Sequence, residues 1–337
     1  MMRKLVVVCL LALILLFLAA PALAATPLDV QEEEAPWSPE DKGNIFERIL
    51  AWVVGFPVRV VANLAAAGGF ETLDVLVFHE GLSDQERMYH PWEPSEFGAL
   101  LMWYQALCAV TAPFFILVIA ATAFRLQHAA LNPAARAEAV DSIQRWFLAA
   151  AIIVLAPLVV QSLVWVASIL TSGVAGAFNA VAAGLGRDVS DWASIDMTGE
   201  GIVTGSVMGT AIVRVFLVCM FFYLNALYIV RKFVLTVMFA FTPMMAIMWA
   251  INRNTTAAAV WLGELASNAF MPVAHGLALG TMMLMCDVRS YETTWLTFVV
   301  MLYALVPTAE AVRNSLQSLF SRWAGIGEER IDRKSTR

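Results

Sequence analysis

The chain has 337 residues, 60% of them hydrophobic and only 14% charged, with a formal net charge of −6. Soluble domains carry about 25% charged residues and roughly 45–50% apolar ones with glycine included, so a water-soluble globule, a disordered chain and a disulfide-stapled secreted module are excluded. A mean hydropathy of +0.73 agrees with a polytopic membrane protein, and the acidic balance offers no global basic field to nucleic acid.

In chain order, residues 1–25 have the pattern of a secretory signal. Arg3 and Lys4 precede an apolar run from Leu5 to Ala20, and Ala22-Leu23-Ala24 supplies a small-x-small cleavage site. The segment 26–97 is then expected outside the cytoplasm. From Thr26 to Glu96 it holds 14 acidic residues against Lys42, Arg48, Arg59 and Arg87, and segments poor in positive charge translocate readily. Within it, residues 45–64 place Ile45, Ile49, Trp52, Val53, Phe56 and Val60 on one helical face. Interrupted by Glu47, Arg48 and Arg59, this stretch is expected to lie in the membrane interface as an amphipathic helix. His79 and His90 have no second cluster of ligands, so no metal site is expected there.

A crossing needs about 20 apolar residues. Gly98 to Phe124 qualifies. Trp146 to Gly186 is uncharged for twice that length, and its Ala/Gly-rich second half, from Ser172, suggests an interfacial or re-entrant continuation. Gly201–Val230, Phe233–Ile251, Ala257–Cys286 and Thr293–Ala309 complete a transmembrane domain over residues 98–309, with a basic cytoplasmic tail at 310–337. The positive-inside rule places the Arg125, Arg136 and Arg145 loop inside, the acidic loop Arg187–Glu200 outside, and Arg231-Lys232 inside again. The expected fold is all-α, a polytopic bundle of five to six membrane segments plus the interfacial helix, with Phe233–Ile251 or Thr293–Ala309 crossing only in part.

Few residues carry chemistry. No His-Glu-x-x-His, Walker or Gly-x-Ser-x-Gly pattern occurs, so no catalytic residue, cofactor or metal is assigned and the chain is read as a non-enzyme. Cys9, Cys108, Cys219 and Cys286 are widely spaced and read as apolar fillers. Gly201, Gly205 and Gly209 recur every fourth residue, the spacing of a close helix contact in lipid. Arg214, Glu264, Asn268 and His275 are polar groups within apolar segments, where a buried charge costs about 2.5–3.5 kcal/mol on the insertion scale and so meets a partner or water. They form either an ion pair between Arg214 and Glu264 that locks two helices or a hydrated path. Prolines fall at 113, 157, 243, 272 and 307, and Thr242-Pro243 is expected to break its helix.

Arg231-Lys232, the run to Thr242-Pro243-Met244, Trp261 with Phe270 and Pro272 in the following helix, and Leu305-Val306-Pro307 in the last one occur in a recognisable order. Over Gly98 to Ser318 the chain resembles the polytopic inner-membrane component of type IV secretion and conjugation systems, the TrbL/VirB-six type. The resemblance implies a multi-copy platform in the cell membrane that works with a secretion ATPase and bitopic scaffold subunits on single-stranded DNA or protein cargo. It brings no catalytic residues. A small-solute transporter or channel using Arg214, Glu264 and His275 is the alternative from another class, and a membrane-embedded enzyme a third.

Overall fold

A computed structural model describes residues 43–128, 133–184, 202, 204–252, 255–286 and 295–323. The signal segment 1–25, the acidic loop 187–200 and the tail beyond 323 lie outside the described residues. Among the described residues the regular elements are all helices: α1 (Ile45–Ala67), α2 (Leu73–Phe78), α3 (Asp84–Tyr89), α4 (Pro94–His128), α5 (Pro133–Gly184), α6 (Val207–Asn252), α7 (Thr255–Ala269), α8 (Met271–Met285) and α9 (Trp295–Trp323). Four are long and apolar enough to cross a membrane, and five if the bent pair α7–α8 counts as one span. The chain is therefore an all-α, polytopic membrane protein.

Several expected boundaries are not there. Gly201–Val230 and Phe233–Ile251 are not two segments: α6 runs through Arg231-Lys232 without a turn. Lys and Arg are good helix formers, and no glycine or proline falls between Thr210 and Thr242. Nor does Thr242-Pro243 end the helix, because Pro243 lies inside α6 and the helix continues to Asn252. Here the Thr242 hydroxyl donates to the Met238 carbonyl at 3.1 Å, and the neighbouring indole of Trp261 donates to the same oxygen at 3.0 Å. These two bonds secure the turn just before Pro243, whose missing N–H leaves the Phe239 carbonyl without its helical donor. The Ala/Gly-rich stretch after Ser172 is no re-entrant loop either, since α5 continues through it to Gly184. Likewise α9 passes Pro307 and runs into the expected tail as far as Trp323. The break that does occur is at Phe270, where α7 and α8 meet at 42°.

Two compact units divide the chain: Met1–Glu80, Ser172–Tyr228 and His275–Thr308 in the first, and Gly81–Thr171, Ile229–Ala274 and Ala309–Arg337 in the second. The first unit's core gathers Val77, Phe78, Phe178, Leu217, Phe221 and Phe298. Phe78 and Phe178 stack with centroids 6.4 Å apart. They sit against Gly276 and Gly280, where an added Cβ would come within 3.4 Å of Phe78 and 3.3 Å of Phe178. This glycine pair, four residues apart on α8, supplies the close approach that small residues permit in lipid. The stripe expected from Gly201, Gly205 and Gly209 does not form. Gly201 lies outside the described residues, and Gly205 is in a bend at φ +74° before α6 begins. Gly209 alone is helical, and a Cβ there would stand 2.8 Å from Trp295.

α1 covers the expected amphipathic stretch as one helix. Ile45, Ile49, Trp52 and Val53 are exposed, whereas Ala51 is fully buried.

In the second unit α4 and α5 run antiparallel. The Tyr104 hydroxyl reaches the Ile153 carbonyl at 2.7 Å, and Phe115 meets Trp146 edge to face at 5.1 Å. The second half of α6 runs parallel to α4, with Tyr104 stacked on Phe239 at 4.6 Å and Ala246 and Ala250 in the cluster around Trp146.

Candidate functional site

Proline decides where the polar residues of the second unit gather. Pro272 has no N–H, so it cannot supply the helical donor that the Asn268 carbonyl, four residues earlier, would otherwise accept. Burying that oxygen without a partner would cost about 1–3 kcal/mol. Instead Arg231, from the middle of α6, donates Nε–H to it at 2.7 Å, and Nη2 reaches the next carbonyl, Ala269, at 3.4 Å. Arg231 is only 2% exposed. Its charge sits at the C-terminal end of α7, where the helix dipole is negative, so the Asn268 and Ala269 carbonyls also compensate the buried guanidinium.

The same logic works at Pro157. Its missing N–H orphans the carbonyl of Ile153, and that is the oxygen the Tyr104 hydroxyl satisfies. Each of these two prolines is thus matched by a side-chain donor from a neighbouring helix.

The Asn268 side chain extends the joint. Its Nδ2 donates to the Glu264 carbonyl at 2.8 Å and to the Glu264 carboxylate at 3.3 Å. Arg313 on α9 donates to Asn268 Oδ1 at 3.4 Å and stands 3.8 Å from Glu264. Gln317, one turn on, donates to the other Glu264 oxygen at 2.9 Å. With side chains about 30% exposed, the Arg313–Glu264 pair contributes roughly 0–1 kcal/mol, so its value is in fixing the approach of α9 to α7. A second ion pair joins α6 to α4: Lys232 lies 2.6 Å from Glu96. One turn along, the Thr236 hydroxyl accepts from the Trp92 indole at 2.9 Å.

The expected site residues separate accordingly. Glu264 and Asn268 meet in this joint. Glu264 takes Arg313, Gln317 and Asn268 of its own unit as partners, so the expected ion pair with Arg214 is replaced by one with Arg313. Arg214 is buried in the first unit. His275, also buried there, has Nδ1 3.3 Å from the Tyr228 hydroxyl, with ring centroids 5.6 Å apart. Asn225, on the same helix as Arg214, exchanges two hydrogen bonds with the Glu71 backbone, each 3.1 Å.

The Lys232–Glu96 pair also corrects the topology. Glu96 was expected outside and Lys232 inside, but two side chains in ion-pair contact occupy one depth. Arg231 and Lys232 are mid-helix residues at the same end of the second unit as the start of α4.

Arg231 carries the joint, and sequence reasoning placed it in a loop. The signal that finds it is Pro272 itself, which requires a donor for Asn268. Among the described residues no group of three or more His, Cys, Asp or Glu side chains is placed to hold a metal, and Cys108, Cys219 and Cys286 are in no disulfide there. The arrangement fixes helices: α7 is tied to α6 through Arg231 and to α9 through Glu264. Comparison with known protein families, curated proteins and solved structures gives no match.

Proposed function

We propose that this chain is a core membrane subunit of a type IV secretion or conjugative transfer channel, contributing to the translocation platform for DNA, protein or both. One observation carries the reading. Part of the set that bears the resemblance is engaged within the second unit: Arg231 reaches the Asn268 carbonyl freed by Pro272, and Trp261 reaches the turn before Thr242-Pro243. A sequence pattern that is also a structural unit is better support than order alone. The polar groups of the joint engage one another, which favours a fixed platform over a path for small solutes.

On this reading the chain sits in the cytoplasmic membrane with its N-terminal segment outside. It assembles in several copies and depends for energy on a secretion ATPase, because its sequence has no phosphate-cradling loop. Bitopic scaffold subunits and single-stranded DNA or protein cargo complete the partners. The test is affinity purification of the full chain from gently solubilised membranes of its native host. Co-purification of a secretion ATPase or scaffold subunit supports the proposal, and recovery without either refutes it.

A small-solute transporter is the second reading, favoured by the broken helix α7–α8 at 42°, since discontinuous helices build many transporter sites. It requires solute flux in reconstituted vesicles that is lost on replacing Glu264 or His275 with an apolar residue.

A further inference from the structure

The second unit bears a belt of exposed apolar side chains bounded at both ends by charge. Met102 and Phe114 on α4, Val154 and Leu158 on α5, and Val237 and Met244 on α6 all face outward. At one end are the Lys232–Glu96 pair and the exposed indole of Trp165, which follows Val164 in the cluster with Trp92 and Phe97. The Arg145–Asp141 pair marks the other end, with Arg136 and Arg125 further along the same two helices.

The interval is set by helix geometry. Arg145 to Trp165 on α5 and Lys232 to Ile251 on α6 are 20 and 19 residue steps, or about 30 Å each at ~1.5 Å per residue. The hydrocarbon core of a bilayer is about 30 Å thick. A soluble partner would have to cover three helices all round, over a length matching lipid and ending in charged rims with an interfacial tryptophan. Acyl chains do this with no special complementarity.

We propose that the bilayer hydrocarbon surrounds the second unit between these two rims, with the Arg125–Arg145 end in the cytoplasm and the Glu96–Lys232 end on the opposite face. The orientation follows from which basic residues are unspent. Arg125 and Arg136 flank the short connection from α4 to α5 and are exposed, which is the arrangement retained inside. At the other end Lys232 is matched by Glu96 and Arg231 is buried against carbonyls. The proposal goes beyond the secretion-channel reading and does not depend on it.

The experiment attaches a nitroxide to Met102→Cys, Val154→Cys, Ser95→Cys and Glu138→Cys in the full chain. The chain is reconstituted in phosphatidylcholine–phosphatidylglycerol vesicles and measured against the unsubstituted protein. All four sites are exposed, so the changes spare the core. The ratio of oxygen to aqueous nickel-complex collision is expected to be several-fold higher at residues 102 and 154 than at 95 and 138. A flat ratio overturns the placement. In cells, a membrane-impermeant maleimide should label Ser95→Cys and spare Glu138→Cys until the membrane is inverted. Labelling of both from one face overturns the placement, and the reverse order overturns the orientation.

Discussion

The match between Pro272 and Arg231 makes a quantitative prediction, because removing the cause should remove the need. Arg231→Met keeps most of the side-chain volume but withdraws the donor from the Asn268 carbonyl at 2.7 Å. A hydrogen bond from a charged donor contributes about 1.5–3 kcal/mol, and the orphaned carbonyl adds desolvation of ~1–3 kcal/mol. Relief of the buried charge offsets part of this. The expected net loss is about 2–3 kcal/mol. In a Pro272→Ala background the new backbone N–H can serve Asn268, so the same Arg231→Met change should cost about 1–2 kcal/mol less. The coupling is read from a double-mutant cycle on reversible unfolding in mixed detergent–SDS micelles, where general effects of either change cancel. Costs for Arg231→Met that agree within about 0.5 kcal/mol in the two backgrounds, the usual limit of additivity, would refute the assignment. Tyr104→Phe with Pro157→Ala is the companion cycle, with a smaller coupling of roughly 1 kcal/mol because its donor is neutral.

The remaining expectations are simpler. Gly209→Ala should destabilise by about 1–3 kcal/mol through overpacking, since its Cβ would stand 2.8 Å from Trp295. Gly176→Ala should be neutral or stabilising by about 0.5–1 kcal/mol, because nothing lies within 4 Å of its added Cβ; thermal unfolding in detergent ranks the two, and equal midpoints would contradict the packing. A chain carrying Glu96→Cys and Lys232→Cys should be bridged intramolecularly by a short bismaleimide, which spans the reach of the two long side chains now in contact at 2.6 Å. Failure to cross-link would restore the sequence-based topology, in which these residues lie on opposite faces.

Composition and the run lengths of apolar residues were enough to establish a polytopic helical bundle and to locate α1, α4 and the apolar part of α9. They misplaced connections because charge was used as a boundary. Arg231-Lys232 looks like a loop only if both charges must reach water, whereas Glu96 and two backbone carbonyls accept them within the protein. Glycine spacing was a sound signal applied to the wrong repeat. Gly276 and Gly280 have the same four-residue interval as Gly205 and Gly209, and only tertiary packing tells which pair faces an aromatic ring.

Proline is an informative residue type here because its effect reaches beyond its own helix. Each proline within an apolar helix creates an acceptor four residues earlier, and in lipid that acceptor has no water to turn to. At Pro272 and Pro157 the requirement is met non-locally, by a donor from another helix at that depth. Asn268 finds Arg231 and Ile153 finds Tyr104, and both donors come from neighbouring helices far away in sequence. A charged residue in an apolar segment is then not by itself a sign of transport chemistry, because a proline elsewhere can create the demand it fills. Arg231 is explained by the chain's own backbone.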